Sequence, residues 1–218
     1  MKLYNWQFAP NCRRVRMFLL EKGIDLPAIS EVIGDGMKLQ PDYIKMWPPA
    51  MVPLLELDDG TRISEALAIV RYFEDLHPEP NLLGTTPVER AFVTMWERPG
   101  YDEGIVGTAE VARNSMEVFH NRALPGFGDE VVVQIPALID RGRQRVRRYL
   151  DKAEVQLGKN AYFAGDRFTF ADITNLCAID FVLFAGITFA GKTLPEAYPN
   201  VARWHEKVSA RPSASASM

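Results

Sequence analysis

The chain has 218 residues, enough for one large domain or two small ones. With 25 Lys and Arg against 28 Asp and Glu, the net charge is −3, which argues against a dedicated nucleic-acid binder because phosphate neutralisation needs a basic excess. At 47% hydrophobic residues the chain is too apolar for disorder, yet no charge-free run reaches the roughly 18 apolar residues of a membrane span. The first residues, MKLYNWQFAPNCRRVR, carry no apolar core ending in small residues, so no secretory signal is expected. Cys12 and Cys177, with three scattered histidines, suit neither a disulfide framework nor a structural zinc site. The expectation is a soluble cytoplasmic protein without a metal.

Residues 2–6 are short, apolar and aromatic and read as a strand. From Asn11 to Lys22 the period turns helical, with Val15, Phe18, Leu19 and the stem of Lys22 on one face and Gly23 as the stop. Residues 28–33 suit a second strand, and 38–46 a short helix. Leu54–Leu57 is a strand, Asp59-Gly60 a tight hairpin turn, and Thr61–Ile63 the returning strand. Ser64 reads as the N-cap of a helix in which Ile69, Tyr72, Phe73 and Leu76 stand at helical spacing. The order is β-α-β-α-β-β-α.

Residues 77–88, rich in Pro and Gly, read as a linker, and every element after it is helical. A long helix over 88–118 is disturbed at Pro99-Gly100, since proline inside a helix removes a hydrogen bond. Residues 120–135 form a loop at the lip of a cleft, and helices follow over 136–158, 169–185 and 199–210. The small, polar tail from Ser213 to Met218 is expected to fray. Arg141, Arg143, Arg145, Arg147 and Arg148 read as a solvated helix face, interrupted by Asp140 and Asp151. His77, His120 and His205 have no metal spacing.

Three segments together resemble the glutathione S-transferase superfamily: FAPNCRRVRMFLLEKGI at 8–24, MVPLLELDDGTRISEALAI at 51–69 and FTFADI at 168–173. The resemblance implies a fold of class α/β plus all-α. It places a thioredoxin-like domain at 1–78, a linker at 79–88 and a helical domain at 89–218. It also implies a homodimer, with glutathione as co-substrate and no other cofactor. The helix after the first strand carries unpaired N–H groups and partial positive charge at its start, which favour a thiolate and lower thiol pKa values. Ala9 fills the slot where the family often has a hydroxyl or Cys, the tyrosine of other branches would align near Asn5, and Tyr4 faces the other way.

The catalytic candidates are therefore Asn11 and Cys12. Asn11 reads either as an amide donor to the thiolate or as a simple N-cap, and Cys12 either as a participant or as a packed thiol. Val52-Pro53 resembles the cis-proline signature, with Val52 docking the cysteinyl backbone of glutathione. Ser64, Glu65 and Ala66 match the γ-glutamyl site. There Glu65, as a buried carboxylate, would face the α-amino group, and Ala66 lacks the hydroxyl usual at its position. Lys38 completes the glutathione set. An acceptor site for a hydrophobic electrophile is expected between the domains, from Phe8, Tyr101, Asn114 and Ser115. Thr169-x-x-Asp172, with Phe168 and Ile173, reads as a structural capping box. The resemblance implies a glutathione transferase. A reductase, lyase or isomerase on the same scaffold, or a non-catalytic ligand-binding module, are the alternatives, and neither a nucleic acid nor a membrane is an expected partner.

Overall fold

The structure, a computed structural model, describes residues 1–25, 30–32, 34–35, 38–126 and 130–217, with the backbone alone at 30–32, 34–35, 38 and 216. Strand β1 (Lys2–Asn5) runs into helix α1 (Pro10–Glu21), and β2 (Ser30–Val32) follows. A two-stranded ribbon, β3 (Gly34–Asp35) with β4 (Lys38–Leu39), precedes α2 (Pro41–Met46). Then come β5 (Leu54–Glu56), β6 (Arg62–Ser64) and α3 (Ala66–Leu76). The main sheet has the order β2-β1-β5-β6, with β2 parallel to β1 and the other pairs antiparallel. The sequence order held, except that the ribbon takes the start of the expected 38–46 helix.

The second half is helical throughout. It comprises α4 (Pro87–Pro99), a π-turn at Gly100–Ile105, α5 (Val106–Ser115), a 3-10 turn at Glu117–Phe119, α6 (Ala137–Leu157), α7 (Phe170–Phe184), α8 (Leu194–Ala197), α9 (Pro199–Ser209) and α10 (Pro212–Ala216). The chain is thus a thioredoxin-like α/β layer followed by an all-helical part. Helix α7 is apolar nearly all round and buried from Phe170 to Ile179, as expected for the central helix of a bundle. Its capping box is present: the Asp172 carboxylate accepts from the Thr169 N–H at 2.9 Å, and also from the Phe163 N–H and Trp204 Nε1, each at 3.0 Å. The disturbance expected at Pro99-Gly100 is the π-turn. Gly100 lies so close to α7 that a Cβ there would meet Asn175 Oδ1 at 2.7 Å.

Helix α1 packs on α3, α7 and α10 and is the junction of the two halves. Val15, Phe18 and Leu19 are buried as expected, but Lys22 is buried to its tip and not only by its stem. Its Nζ pairs with Glu74 and donates to the carbonyls of His77 and Pro80, each at 2.7 Å, which ties the linker to α1. The tail also departs from expectation. Ser213, Ala214 and Ser217 are buried, because Arg16 donates to the Ser217 carbonyl at 2.7 and 3.0 Å and Arg13 reaches the Ala214 carbonyl. The composition of the tail is polar, but its polar groups are what the buried arginines need.

Helices α5 and α6 cross on two glycines. A Cβ on Gly142 would lie 2.7 Å from the Gly107 carbonyl oxygen and 2.8 Å from a Val111 methyl. Because one obstacle is backbone, Gly142→Ala should force the helices apart and cost about 1–3 kcal/mol, read as a lower urea midpoint with an unchanged slope.

Candidate functional site

The pairing of β1, β5 and β6 brings three segments to one edge of the sheet. Tyr4 pairs with Leu54, and Leu54 with Ser64. The residues after β1, before β5 and after β6 therefore emerge side by side. They are the 6–12 segment with the start of α1, Met51–Pro53, and Glu65 with the start of α3. The Val52-Pro53 peptide is cis.

At the start of α1 the N-cap is Ala9, with Pro10 in the first turn, so Asn11 is inside the helix and is not its N-cap. Asn11 is partly buried, and its Oδ1 accepts from Arg14 Nη1 at 3.0 Å. Cys12 is fully buried, and its Sγ accepts from the Trp6 N–H at 3.3 Å. Burial pushes its thiol up to about 12, outweighing that hydrogen bond and the nearby Arg16 charge. The packed-thiol reading of Cys12 is the one that fits, because a neutral thiol turned into the core reaches no substrate. Asn5, at the tyrosine slot, is buried with its Oδ1 on Arg16, and Tyr4 faces the other way to pack on Tyr43.

Ser64 ends β6 and does not cap α3; that place is taken by Glu65. Glu65 stands at φ 71, ψ 123, a conformation that costs an L residue about 1–3 kcal/mol. The residue is exposed, not buried, and its side chain makes no cap hydrogen bond to the helix start. Ala66 behind it is buried. The side chain of Lys38 lies outside the described residues. Tyr43 holds the approach to the cis peptide, its hydroxyl donating to the Met51 carbonyl at 2.7 Å. From the other half of the chain, Gly126 of the long loop comes against Met51, a Cβ there falling 3.2 Å from its sulfur.

The family model for the glutathione S-transferase N-terminal domain matches residues 3–81, and that for the C-terminal domain residues 116–212. The chain is 30% identical over 220 residues to glutathione S-transferase 2 of Saccharomyces cerevisiae, covering 98% of this chain and 87% of that protein. The chain belongs to the glutathione S-transferase family. Among solved structures, a class Gtt2 glutathione S-transferase of Vibrio parahaemolyticus is 31% identical with a TM-score of 0.79, over 100% of this chain and 96% of that one. Gtt2 from Saccharomyces cerevisiae is 27% identical with a TM-score of 0.81, over the whole of both chains.

In this transferase-family fold the four expected acceptor residues separate. Phe8 is 53% exposed at the sheet edge, its ring edge-on to Trp6. Tyr101 projects from the π-turn, with the Arg14 guanidinium 5.1 Å from its ring centre. Burial, and then the charge of Glu65, raise the Tyr101 hydroxyl pKa. Asn114 and Ser115 do not belong with them. Asn114 is buried, donating to the Glu110 carbonyl at 2.7 Å and accepting from the Ile135 N–H at 2.8 Å, and so pins the loop to the end of α5. Ser115 donates back to the Val111 carbonyl. The bonds to Glu110 and Val111 are side-chain bonds to carbonyls four residues back in the same helix, and the Asn114 oxygen serves a loop N–H.

Sequence reasoning missed Arg14 and Glu97. Arg14 is 2% and Glu97 1% exposed, and the two form an ion pair between α1 and α4. The signal was their place on apolar stripes, Arg14 one turn before Phe18 and Glu97 one turn after Val93. The basic run on α6 is an ion-pair lattice, Arg141 with Glu110, Arg143 with Asp140 and Arg148 with Glu103. Among the described residues no cluster of His, Cys, Asp and Glu could hold a metal, and no helix is long and apolar enough to cross a membrane.

The burial of Cys12 makes a direct prediction. Cys12→Ser should match the wild type in glutathione-dependent assays, and mass spectrometry of the native protein at neutral pH should find no alkylation at Cys12. Labelling at the wild-type surface rate would overturn the burial argument.

Proposed function

We propose that the protein is a glutathione transferase that joins the glutathione sulfur to a hydrophobic electrophile. Residues 1–78 bind glutathione and residues 89–218 supply the acceptor side. One observation carries the reading: the start of α1 with the Asn11 amide, the cis Val52-Pro53 peptide and Glu65 meet at one sheet edge. The backbone groups of Val52 dock the cysteinyl part. Glu65 takes the α-amino group of the γ-glutamyl end, and the N–H groups at the start of α3 take its carboxylate. Exposure of Glu65 suits this task, since an ammonium can reach it without a rearrangement.

Bound so, the glutathione sulfur lies at the α1 terminus. Its proton passes to water, and the thiolate left behind accepts a hydrogen bond from Asn11 Nδ2 within the positive end of the helix. The sulfur electron pair then forms a bond to the electrophilic carbon, and the leaving group departs with the pair that held it. Phe8 and Tyr101 offer the apolar walls that hold the acceptor near the sulfur, so proximity supplies much of the rate. Exposed apolar side chains on and near α4, Val88, Phe92 and Met95, support association with a second copy. The absence of a hydroxyl at Ala9 and Ala66 favours one second reading, a binding module that holds glutathione without turnover.

Asn11→Ala removes the amide donor and leaves the helix terminus. The pKa of bound glutathione should rise by about one unit, and turnover near neutral pH should fall about tenfold, because a smaller fraction is thiolate until the pH exceeds the new value. The rate should be recovered at alkaline pH. Thiolate absorbance of the binary complex, titrated against pH, checks this; an unmoved curve would leave the backbone as the sole activator.

Glu65→Gln keeps size and backbone but loses the charge. Glutathione affinity should fall by about 1–2 kcal/mol with the fold intact, measured by titration calorimetry. Tight binding of glutathione with no turnover of any of a panel of electrophiles would establish the binding module instead.

A further inference from the structure

We propose that Arg14 is a positioning residue for the thiolate donor: its guanidinium fixes the Asn11 amide so that Nδ2, and not Oδ1, is presented at the start of α1. The proposal rests on the reading of Asn11 given above.

Arg14 follows Asn11 by one helical turn and is held from every side. Nε donates to Thr174 Oγ1 of α7 at 3.0 Å, Nη2 pairs with Glu97 of α4, and Nη1 donates to Asn11 Oδ1 at 3.0 Å. The rings of Tyr101 and Phe170 lie 5.1 and 5.2 Å from its Cζ. A planar group with three directions taken by separate elements cannot turn without breaking a buried contact.

The chemistry of the guanidinium then decides the orientation of the amide. Arginine has five N–H donors and no acceptor. Only the oxygen of the Asn11 amide can face it, since a flipped amide would set donor against donor. The NH₂ end therefore points the other way, and among the described residues it donates to no acceptor. An asparagine in the first turn of a helix, left to itself, has either end to offer. Presented as Oδ1 it would set lone pairs against the sulfur and raise the thiol pKa, the reverse of what catalysis needs. Arg14 removes that choice. Its own charge is met by Glu97 at contact distance, so its effect on the sulfur passes chiefly through the orientation of Asn11.

Arg14→Lys tests this, because a single ammonium retains the charge beside Glu97 but cannot reach Glu97, Thr174 and Asn11 together. The readout is the thiolate titration of bound glutathione in a double-mutant cycle with Asn11→Ala. The expected result is a pKa raised by about half a unit to one unit in Arg14→Lys, with glutathione affinity little changed, and no further rise when Arg14→Lys is added to Asn11→Ala. If the lysine variant fails to fold, the charge-neutral pair Arg14→Met with Glu97→Leu replaces it, with the same expectation. An unshifted titration in the Arg14 variant, while Asn11→Ala is shifted, overturns the proposal and leaves the role of Asn11 standing. An equal shift by the Arg14 variant with and without Asn11 also overturns it, since the effect would then not pass through the amide. If Asn11→Ala itself shifts nothing, or the wild type binds no glutathione, the reading beneath the proposal fails and the proposal with it.

Discussion

Three arginines on one helix, Arg13, Arg14 and Arg16, constrain more of this molecule than any apolar contact does. A guanidinium stays charged at any pH the protein meets and only donates, so the N–H groups of a buried one call for oxygen partners. Arg16 collects the carbonyls of Trp6, Gln7 and Ser217 and the amide oxygen of Asn5. Arg13 takes Asp180 of α7 and the Ala214 carbonyl. Arg14 takes Glu97, Thr174 and Asn11. The loop before α1, the helical half and the end of the chain are thereby fixed to a single element. A helix whose terminus is to hold an anion must be immobile relative to whatever positions the rest of that anion. The arginines supply that immobility without occupying the terminus.

The sheet supplies the other half of the arrangement. Antiparallel pairing of β5 with both β1 and β6 places the exit of β1, the entry of β5 and the exit of β6 at one edge. No single segment there binds a tripeptide by itself. The positive φ of Glu65 is stored strain at that edge, on an exposed residue whose side chain makes no cap bond to the N–H groups of α3. On the proposed reading the Glu65 carboxylate is the acceptor for an ammonium, and the Asn11 amide held by Arg14 the donor for a thiolate, a pairing that suits a ligand with a cationic end and an acidic thiol.

How much of this could be read from the sequence follows from the range of each interaction. The hairpin at Asp59-Gly60 and the box at Thr169-x-x-Asp172 were legible because each is satisfied within a few residues. The π-turn was legible as a disturbance, since Pro99-Gly100 announces a broken ladder without saying how it is mended. What the sequence hid is long-range pairing. The tail read as frayed because its composition is small and polar, and the groups that order it, Arg13 and Arg16, lie about two hundred residues away. Asn114 and Ser115 read as site residues because polar side chains look alike until their backbone partners, carbonyls of the same helix and the loop N–H of Ile135, are visible. Lys22 read as a stem for the same reason, its carboxylate partner being Glu74 on another helix.

The two arginine-rich segments show why residue type alone does not assign a role. On α6, Arg141, Arg143 and Arg148 are exposed and pair with carboxylates at the surface, where such pairs contribute little, about 0–1 kcal/mol each. On α1 the same side chain is enclosed, and removing one partner of a buried pair costs several times more, about 3–5 kcal/mol. The sequence distinguishes the two only by what surrounds each arginine. The α6 run is interspersed with Asp140, Gly142 and Gln144 and only one apolar residue, Val146, whereas Arg14 and Arg16 stand among Val15, Met17, Phe18 and Leu19. An arginine that interrupts an apolar stripe must be paired or the helix could not be buried there. Its partners are then groups whose orientation the fold has fixed, and Asn11 is the one among them that stands in the first turn of α1.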